Sequence, residues 1–251
     1  MKVLVTGGAG FIGSHVVDAL VAAGAQVHAV DNLSRGRVDN LAGALAGGAQ
    51  MHAADVTDEL AIARLTAAVQ PDVVLHLAAH IDARRSVDEP AFDARVNVAG
   101  TAAILEAARR AGARRVVLAS TAAVYGPRQD PHGESGVVAI FTGAAADGRA
   151  VTIHGDGRQT RDYVHVEDVA AAFLLATAST VTGVLNIATG RETSVLELAA
   201  AIGIDVLHGP PRAGEIERSC LDPGAAARAI GWQARVPISA GLTGLRPPVA
   251  A

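Results

Sequence analysis

Lys2-Val-Leu-Val-Thr-Gly-Gly-Ala-Gly-Phe-Ile-Gly-Ser14 is the stretch on which the fold turns. Lys2 to Val5 is a short apolar run, and Ile12, Val16, Ala19, Leu20 and Ala23 recur at helical spacing after it. Between them, Gly8-Ala-Gly10-Phe-Ile-Gly13 lacks the side chains that would keep a backbone away from a pyrophosphate. The pattern predicts strand, tight turn and a helix starting near Phe11, whose first N–H groups face the anion. Gln26 to Val30 is a second strand ending at Asp31, eighteen residues past Gly13. A carboxylate there can accept adenosine ribose hydroxyls, and it repels a ribose 2′-phosphate, so the unit reads as binding NAD in preference to NADP.

Outward from this unit, Glu59 to Val69 is helix-like, Val73 to Leu77 is a buried strand, and an Ala-rich helix from about Ala91 to Ala111 is stopped by Gly112. Arg115 to Ala119 is the fifth strand. Strands alternating with helices imply right-handed crossovers and a parallel sheet. The chain of 251 residues is half apolar but only 3% aromatic, so Ala, Val, Leu and Ile must build the core. A net charge of −4 gives no electrostatic footprint for a phosphate backbone, and nucleic acid is not an expected partner. Cys220 is the only cysteine, which excludes an internal disulfide and a thiolate-rich metal site. No signal-like or bilayer-length apolar run is present, so the expectation is a cytoplasmic protein without membrane attachment or metal.

The second half has shorter elements: a helix from about Gly136 to Ala146, strands near Val151, Tyr163 and Val184 to Ile187, and helices from about Glu167 to Ala178 and Val195 to Ile202. Ser194 is a candidate N-cap for the last of these. This half reads as a lid over the first, with the boundary near Gly126. The domains expected are residues 1–126, binding NAD, and 127–251, binding substrate.

Thr6-Gly-Gly-Ala-Gly-Phe-Ile-Gly-Ser14, Asp55-Val56, His76-Leu-Ala-Ala79, Asn97-Val-Ala-Gly-Thr101 and Ser120-Thr-Ala-Ala-Val-Tyr-Gly126 closely resemble the extended short-chain dehydrogenase/reductase family. Its nucleotide-sugar epimerases and dehydratases, typified by UDP-glucose 4-epimerase, are the most similar. Gly155-Asp-Gly157, Thr160-Arg-Asp-Tyr-Val-His-Val-Glu-Asp-Val169, Asn186-Ile-Ala-Thr-Gly190 and Pro211-Arg-Ala-Gly-Glu215 extend the likeness over nearly the whole chain. The resemblance implies a Rossmann-like doubly wound sheet with a small C-terminal substrate lobe. It places Gly7, Gly10, Phe11, Ile12, Gly13, Asp31, Asn32, Asp55, Val56, Leu77, Ala78, Ala79 and Asn97 around NAD. It also makes Thr121 the hydroxyl residue beside the reacting sugar, and assigns Arg161 and Arg212 to the diphosphate of a UDP- or dTDP-sugar. Guanidinium chemistry suits that last role, because its forked donors clamp phosphate.

The family's Tyr-x-x-x-Lys pair is absent. Its four-residue spacing puts both side chains on one helical face, where the lysine lowers the tyrosine pKa for proton abstraction. Here Lys2 is the only lysine and Tyr125 and Tyr163 are the only tyrosines. Val124-Tyr-Gly-Pro-Arg-Gln-Asp-Pro-His-Gly-Glu134 serves two family contexts at once: the one before the catalytic helix and the one after the following strand. An in-frame loss between two Val-Tyr-Gly copies produces such a junction and reduces the strand number. His80, His132, His165 and Tyr125 remain as alternative bases, since imidazole exchanges protons near neutrality and Tyr125 ends a strand. Family dimers pack the Tyr/Lys helix and the helix before the fifth strand across a two-fold axis. With half of that patch gone, a monomer or a dimer of another type is expected.

Overall fold

The computed structural model describes residues 1–120, 123–131, 136–212 and 214–245. Thr121 and His132 lie outside the described residues. The chain divides into two compact units, Met1–Thr121 with Phe173–Ser179, and Ala122–Ala172 with Thr180–Ala251.

The first unit runs β1 (Lys2–Thr6), α1 (Phe11–Ala22), β2 (Gln26–Asp31), α2 (Ala42–Ala46), β3 (Gln50–Ala53), α3 (Glu59–Val69), β4 (Val73–His76), α4 (Ala83–Asp88), α5 (Pro90–Ala94), α6 (Thr101–Arg110) and β5 (Arg115–Leu118). All five strands are parallel, in the order β3-β2-β1-β4-β5. Strands buried on both faces need apolar side chains throughout, and Val3, Leu4, Val5, Val73, Val74 and Leu75 supply them. Leu4, Val30 and Val74 meet Val56, Ile62, Val69, Ile104, Ala107 and Ala108 in one core cluster. The small Ala107 and Ala108 side chains let the backbone of α6 come close. Asp58 caps α3, its carboxylate accepting from Ala61 N.

The helix expected over 91–111 runs without a gap over Pro90–Arg110, but its Arg95–Gly100 stretch, between α5 and α6, is a π-helical turn. Such turns are frequent at functional sites, and the sequence carries no period that signals one. The sheet ends at β5. Among the described residues no strand pairs with its outer edge, and Leu118 is 48% exposed there.

The second unit runs β6 (Val124–Tyr125), α7 (Val137–Ala146), β7 (Val151–His154), β8 (Thr160–Arg161), β9 (Val164–His165), α8 (Val166–Ala178), β10 (Thr193–Ser194), α9 (Val195–Ile202), β11 (Val206–Gly209), β12 (Arg218–Ser219), α10 (Gly224–Ile230) and α11 (Ile238–Thr243). The end of α8 belongs to the first unit, where Arg114 Nη2 reaches Thr177 O at 3.5 Å. Small sheets β10-β8-β12, β11-β7 and β6-β9 surround a core of Tyr125, Val138, Phe141, Tyr163, Leu198, Ile202 and Leu242. Ser194 caps α9 in a reciprocal box with Glu197. The strand expected at Val184 to Ile187 is absent: Val184 is 91% exposed, and apolar residues without a buried face to fill do not make a strand.

His76, at the end of β4, is buried between two hydroxyls, with Thr6 Oγ1 2.6 Å from Nδ1 and Thr101 Oγ1 3.0 Å from Nε2. Thr101 gives its single hydroxyl proton to Asn97 O, so it must accept from Nε2–H, and Nδ1 must accept from Thr6. The ring is therefore held neutral, and burial lowers its pKa to about 4. An unfolded chain binds a proton there near pH 6.5. The folded state thus loses up to about 3 kcal/mol relative to the unfolded one as pH falls from 6.5 towards 4. Urea unfolding of wild type and His76→Asn across that range should show wild type losing its advantage as the pH drops, and parallel pH curves would contradict this.

Candidate functional site

The turn between β1 and α1 stands where the order of the sheet reverses, between β1 and β4. Open α/β sheets bind ligands at such a point, outside the carboxyl ends of the strands. Gly7 is left-handed (φ +68°), and a Cβ on it would lie 2.7 Å from Ala78 N. A Cβ on Gly13 would lie 2.0 Å from Gly7 O, so α1 packs directly on the turn. Gly10 caps α1 without a side chain and the first turn carries no acid, which leaves the N–H groups of Phe11, Ile12 and Gly13 for an outside anion. The turn is pinned from the other side by Arg37 N and Asn40 Nδ2, both donating to Ala9 O.

Asp31, at the end of β2, accepts from Ala9 N at 3.0 Å and Leu33 N at 2.9 Å. Each carboxylate oxygen keeps a further lone pair, so the group can still receive hydroxyls. Gly36 lies over it; a Cβ there would be 2.8 Å from either oxygen. Sequence reading passed over Gly36, although the Ser34-Arg-Gly-Arg37 loop directly after Asp31 was its signal. Asn32 Nδ2 donates to Asp55 Oδ2 at 2.8 Å, and Asp55 also accepts from Thr57 N and Oγ1. These bonds hold the Asp55 carboxyl below the usual range against the opposing effect of burial. Val56 touches the π-helical turn, where a Cβ on Gly100 would stand 3.0 Å from Val56 Cγ2.

On the β4 side, Ala78 N donates to Thr6 Oγ1 and Leu77 N to Thr6 O, which holds the Leu77-Ala78-Ala79 run beside the turn. Asn97 clasps the backbone of His80, accepting from its N at 2.8 Å and donating to its O at 3.0 Å. The structure therefore gathers the glycines, Asp31, Asn32, Asp55, Val56, Leu77, Ala78, Ala79 and Asn97 at one edge of the first unit. The glycine cradle and an acceptor at Asp31 fit a dinucleotide.

The remaining candidates lie in the second unit. Arg161, on β8, donates from Nη2 to Glu215 Oε1 at 2.8 Å and from Nη1 to Ile216 O at 2.6 Å. Arg212 opens the turn that carries Glu215, and its side chain is exposed. Arg212 and Glu215 thus share one turn, and the Glu215 carboxylate pairs with Arg161. Asp162 fixes the loop behind them, accepting from Thr189 N, Thr189 Oγ1 and Gly190 N.

Tyr125 ends β6 but is not presented there for chemistry. It is fully buried, its ring packs edge-on against His165 at 5.2 Å, and a Cβ on Gly241 would touch its hydroxyl. Burial and then the Asp168 charge push its pKa up to about 12, the wrong direction for a base. Tyr163 is also buried and raised to about 12, chiefly by burial. His165 is buried, and burial pushes its pKa down.

A family model described as "NAD dependent epimerase/dehydratase family" matches residues 3–136 and again 124–188. The chain belongs to this family. Residues 124–136 fall in both matches, which is what an in-frame loss between two similar stretches leaves behind. A UDP-glucose 4-epimerase of Mycolicibacterium smegmatis is 41% identical, covering 96% of each chain. That alignment is 302 residues long and this chain supplies about 241 of them, so about 60 positions are missing here. The solved UDP-glucose 4-epimerase of Thermotoga maritima with UDP-glucose superposes with a TM-score of 0.92 at 36% identity, covering 98% of this chain and 97% of that one. The Thermus thermophilus UDP-glucose 4-epimerase in complex with NAD gives 0.90 at 33% identity, covering 99% and 100%.

If Asp31 reads the ribose, titration should show NAD binding more tightly than NADP, and Asp31→Ala should narrow the gap by weakening NAD. Equal or tighter NADP binding by wild type would contradict it.

Proposed function

We propose that this chain is an NAD-binding nucleotide-sugar epimerase/dehydratase homologue, most like a UDP-sugar 4-epimerase that oxidises C4 transiently, with turnover reduced by loss of the Tyr/Lys pair. The observation that carries this is the intact glycine cradle with Asp31 in a chain whose family match doubles back at 124–136. Gly7, Gly10, Phe11, Ile12 and Gly13 hold the pyrophosphate, and Asp31 and Asn32 hold ribose hydroxyls. Asp55, Val56, Leu77, Ala78, Ala79 and Asn97 shape the rest of the cradle. NAD, when bound, supplies the hydride acceptor. Thr121 is the hydroxyl residue beside the reacting sugar. Arg161 exchanges Glu215 for the diphosphate of a UDP- or dTDP-sugar, which Arg212 also binds. Residues 1–126 bind NAD and 127–251 bind the sugar nucleotide, in the cytoplasm. Among the described residues no helix is long and apolar enough to cross a membrane.

A second reading, a non-catalytic protein that binds NAD or a nucleotide sugar, is favoured by the burial of both tyrosines. Purified protein with NAD and a panel of UDP- and dTDP-sugars separates the two by product analysis. We expect epimer to form at a rate at least about 10² below that of an intact relative. Ordinary turnover would sink the idea of a lost base.

We propose further that the chain is a monomer, or a dimer built through surface other than the family's helix pair. Support comes from β5, whose outer edge carries no strand among the described residues. An apolar edge of this kind recruits chains in other ways. Light scattering with a crystal structure tests it: a two-fold dimer bundled through α6 and a second long helix would be the contrary result.

A further inference from the structure

We infer that His80 is the proton acceptor for the turnover that remains, with Asp93 as its positioning residue; this rests on the epimerase reading above. His80 follows the Leu77-Ala78-Ala79 run at the carboxyl end of β4, beside the glycine turn at the β1/β4 switch point. Its backbone is clasped on both polar atoms by Asn97, so the residue cannot swing away. Its ring packs edge-on against Phe92 at 5.1 Å, and Nδ1 lies 3.2 Å from Asp93 Oδ1.

Asp93 is itself held. Its Oδ1 accepts from Ser86 Oγ at 2.7 Å and Asn97 Nδ2 at 2.9 Å as well as from the imidazole. The Ser86 hydroxyl first, and His80 next, keep its carboxyl below the usual range. An ionised Asp93 only accepts, so Nδ1 carries the hydrogen and the lone pair is on Nε2. Nε2 has no hydrogen bond among the described residues, and the side chain is 12% exposed. A base whose far nitrogen is oriented by a third group is the arrangement general-base catalysis requires. The other carboxylates whose charge reaches His80 are Asp82 and Glu89, on the flanks of α4. Of the other candidates, Tyr125 and His165 are in the core, as is Tyr163, and His132 lies outside the described residues.

In this step C4 of the sugar loses its hydroxyl proton to Nε2 and its hydride, with the electron pair, to the nicotinamide ring of NAD, and becomes a ketone. Reversal on the other face of the ketone returns both and gives the C4 epimer, so atoms and electrons balance over the cycle.

The test uses the full chain with NAD and UDP-glucose. His80→Gln should lower epimer formation at least about 10²-fold while NAD affinity stays within a few-fold. His80→Gly should regain activity with added imidazole, which a structural role would not produce. Independently of turnover, the His80 ring signal in the proton spectrum, assigned by its loss in His80→Gln, should shift when UDP-glucose joins the NAD complex. Asp93→Asn should lower the rate without abolishing NAD binding. An active His80→Gln, absent rescue or an unmoved ring signal overturns the role of His80 and leaves the epimerase reading standing. Wild type that binds NAD yet forms no epimer overturns that reading, and this inference with it.

Discussion

The approach of the Gly7 turn to Ala78, across the reversal between β1 and β4, is the constraint on which the rest of the first unit depends. A single added Cβ would stand 2.7 Å from a backbone nitrogen, so the two strand ends can meet only if the turn is bare. Their meeting is stabilised by Thr6, which takes Ala78 N on its hydroxyl and gives the hydroxyl proton to His76. From His76 the chain of bonds passes through Thr101 to Asn97, and from Asn97 to His80 and Asp93. One connected polar network therefore runs from the floor of the sheet to the edge of the candidate site. Such a network rigidifies when every member is satisfied and is costly when one is not.

Much of this unit was legible in the sequence because its signals are local. Glycines on a turn, apolar runs of strand length and an acid at the end of β2 each follow from one short segment. The parts that were not legible depend on distant partners. The π-helical turn at Arg95–Gly100 arises where the helix passes Val56 and lets Asn97 reach His80, and no periodicity in 91–111 encodes that. In the second unit the two-residue strands β6, β8, β9, β10 and β12 are too short to leave a pattern, and Val184–Ile187 carries an apolar pattern with no surface to bury it against. The site shows the same division. Asp31 and the glycines could be read from the chain, whereas Ser86 and Asp93, which orient His80, have no motif at all.

Burial leaves neither tyrosine placed to act as a base. Tyr125 sits in the stretch that matches the family twice, and the fold buries it as a core residue beneath Gly241. A hydroxyl buried without a partner is a poor proton acceptor, because burial disfavours the phenolate. Both tyrosines have this fate, in the same cluster.

The cradle can stand without a Tyr-x-x-x-Lys pair, because it draws on its own part of the chain. The glycine turn, Asp31 and the β4 run are fixed by contacts within the first 120 residues, and none of those contacts passes through the missing segment. Among the described residues no strand pairs with the outer edge of β5, where Leu118 is half exposed. The dinucleotide cradle therefore stands whole without the Tyr-x-x-x-Lys pair. Histidine is suited to the vacated chemistry for the same reason that it tolerates the place. Unlike tyrosine it needs no neighbouring cation to accept a proton near neutral pH, only a carboxylate to fix which nitrogen is free. Asp93 provides that from an element the deletion did not touch.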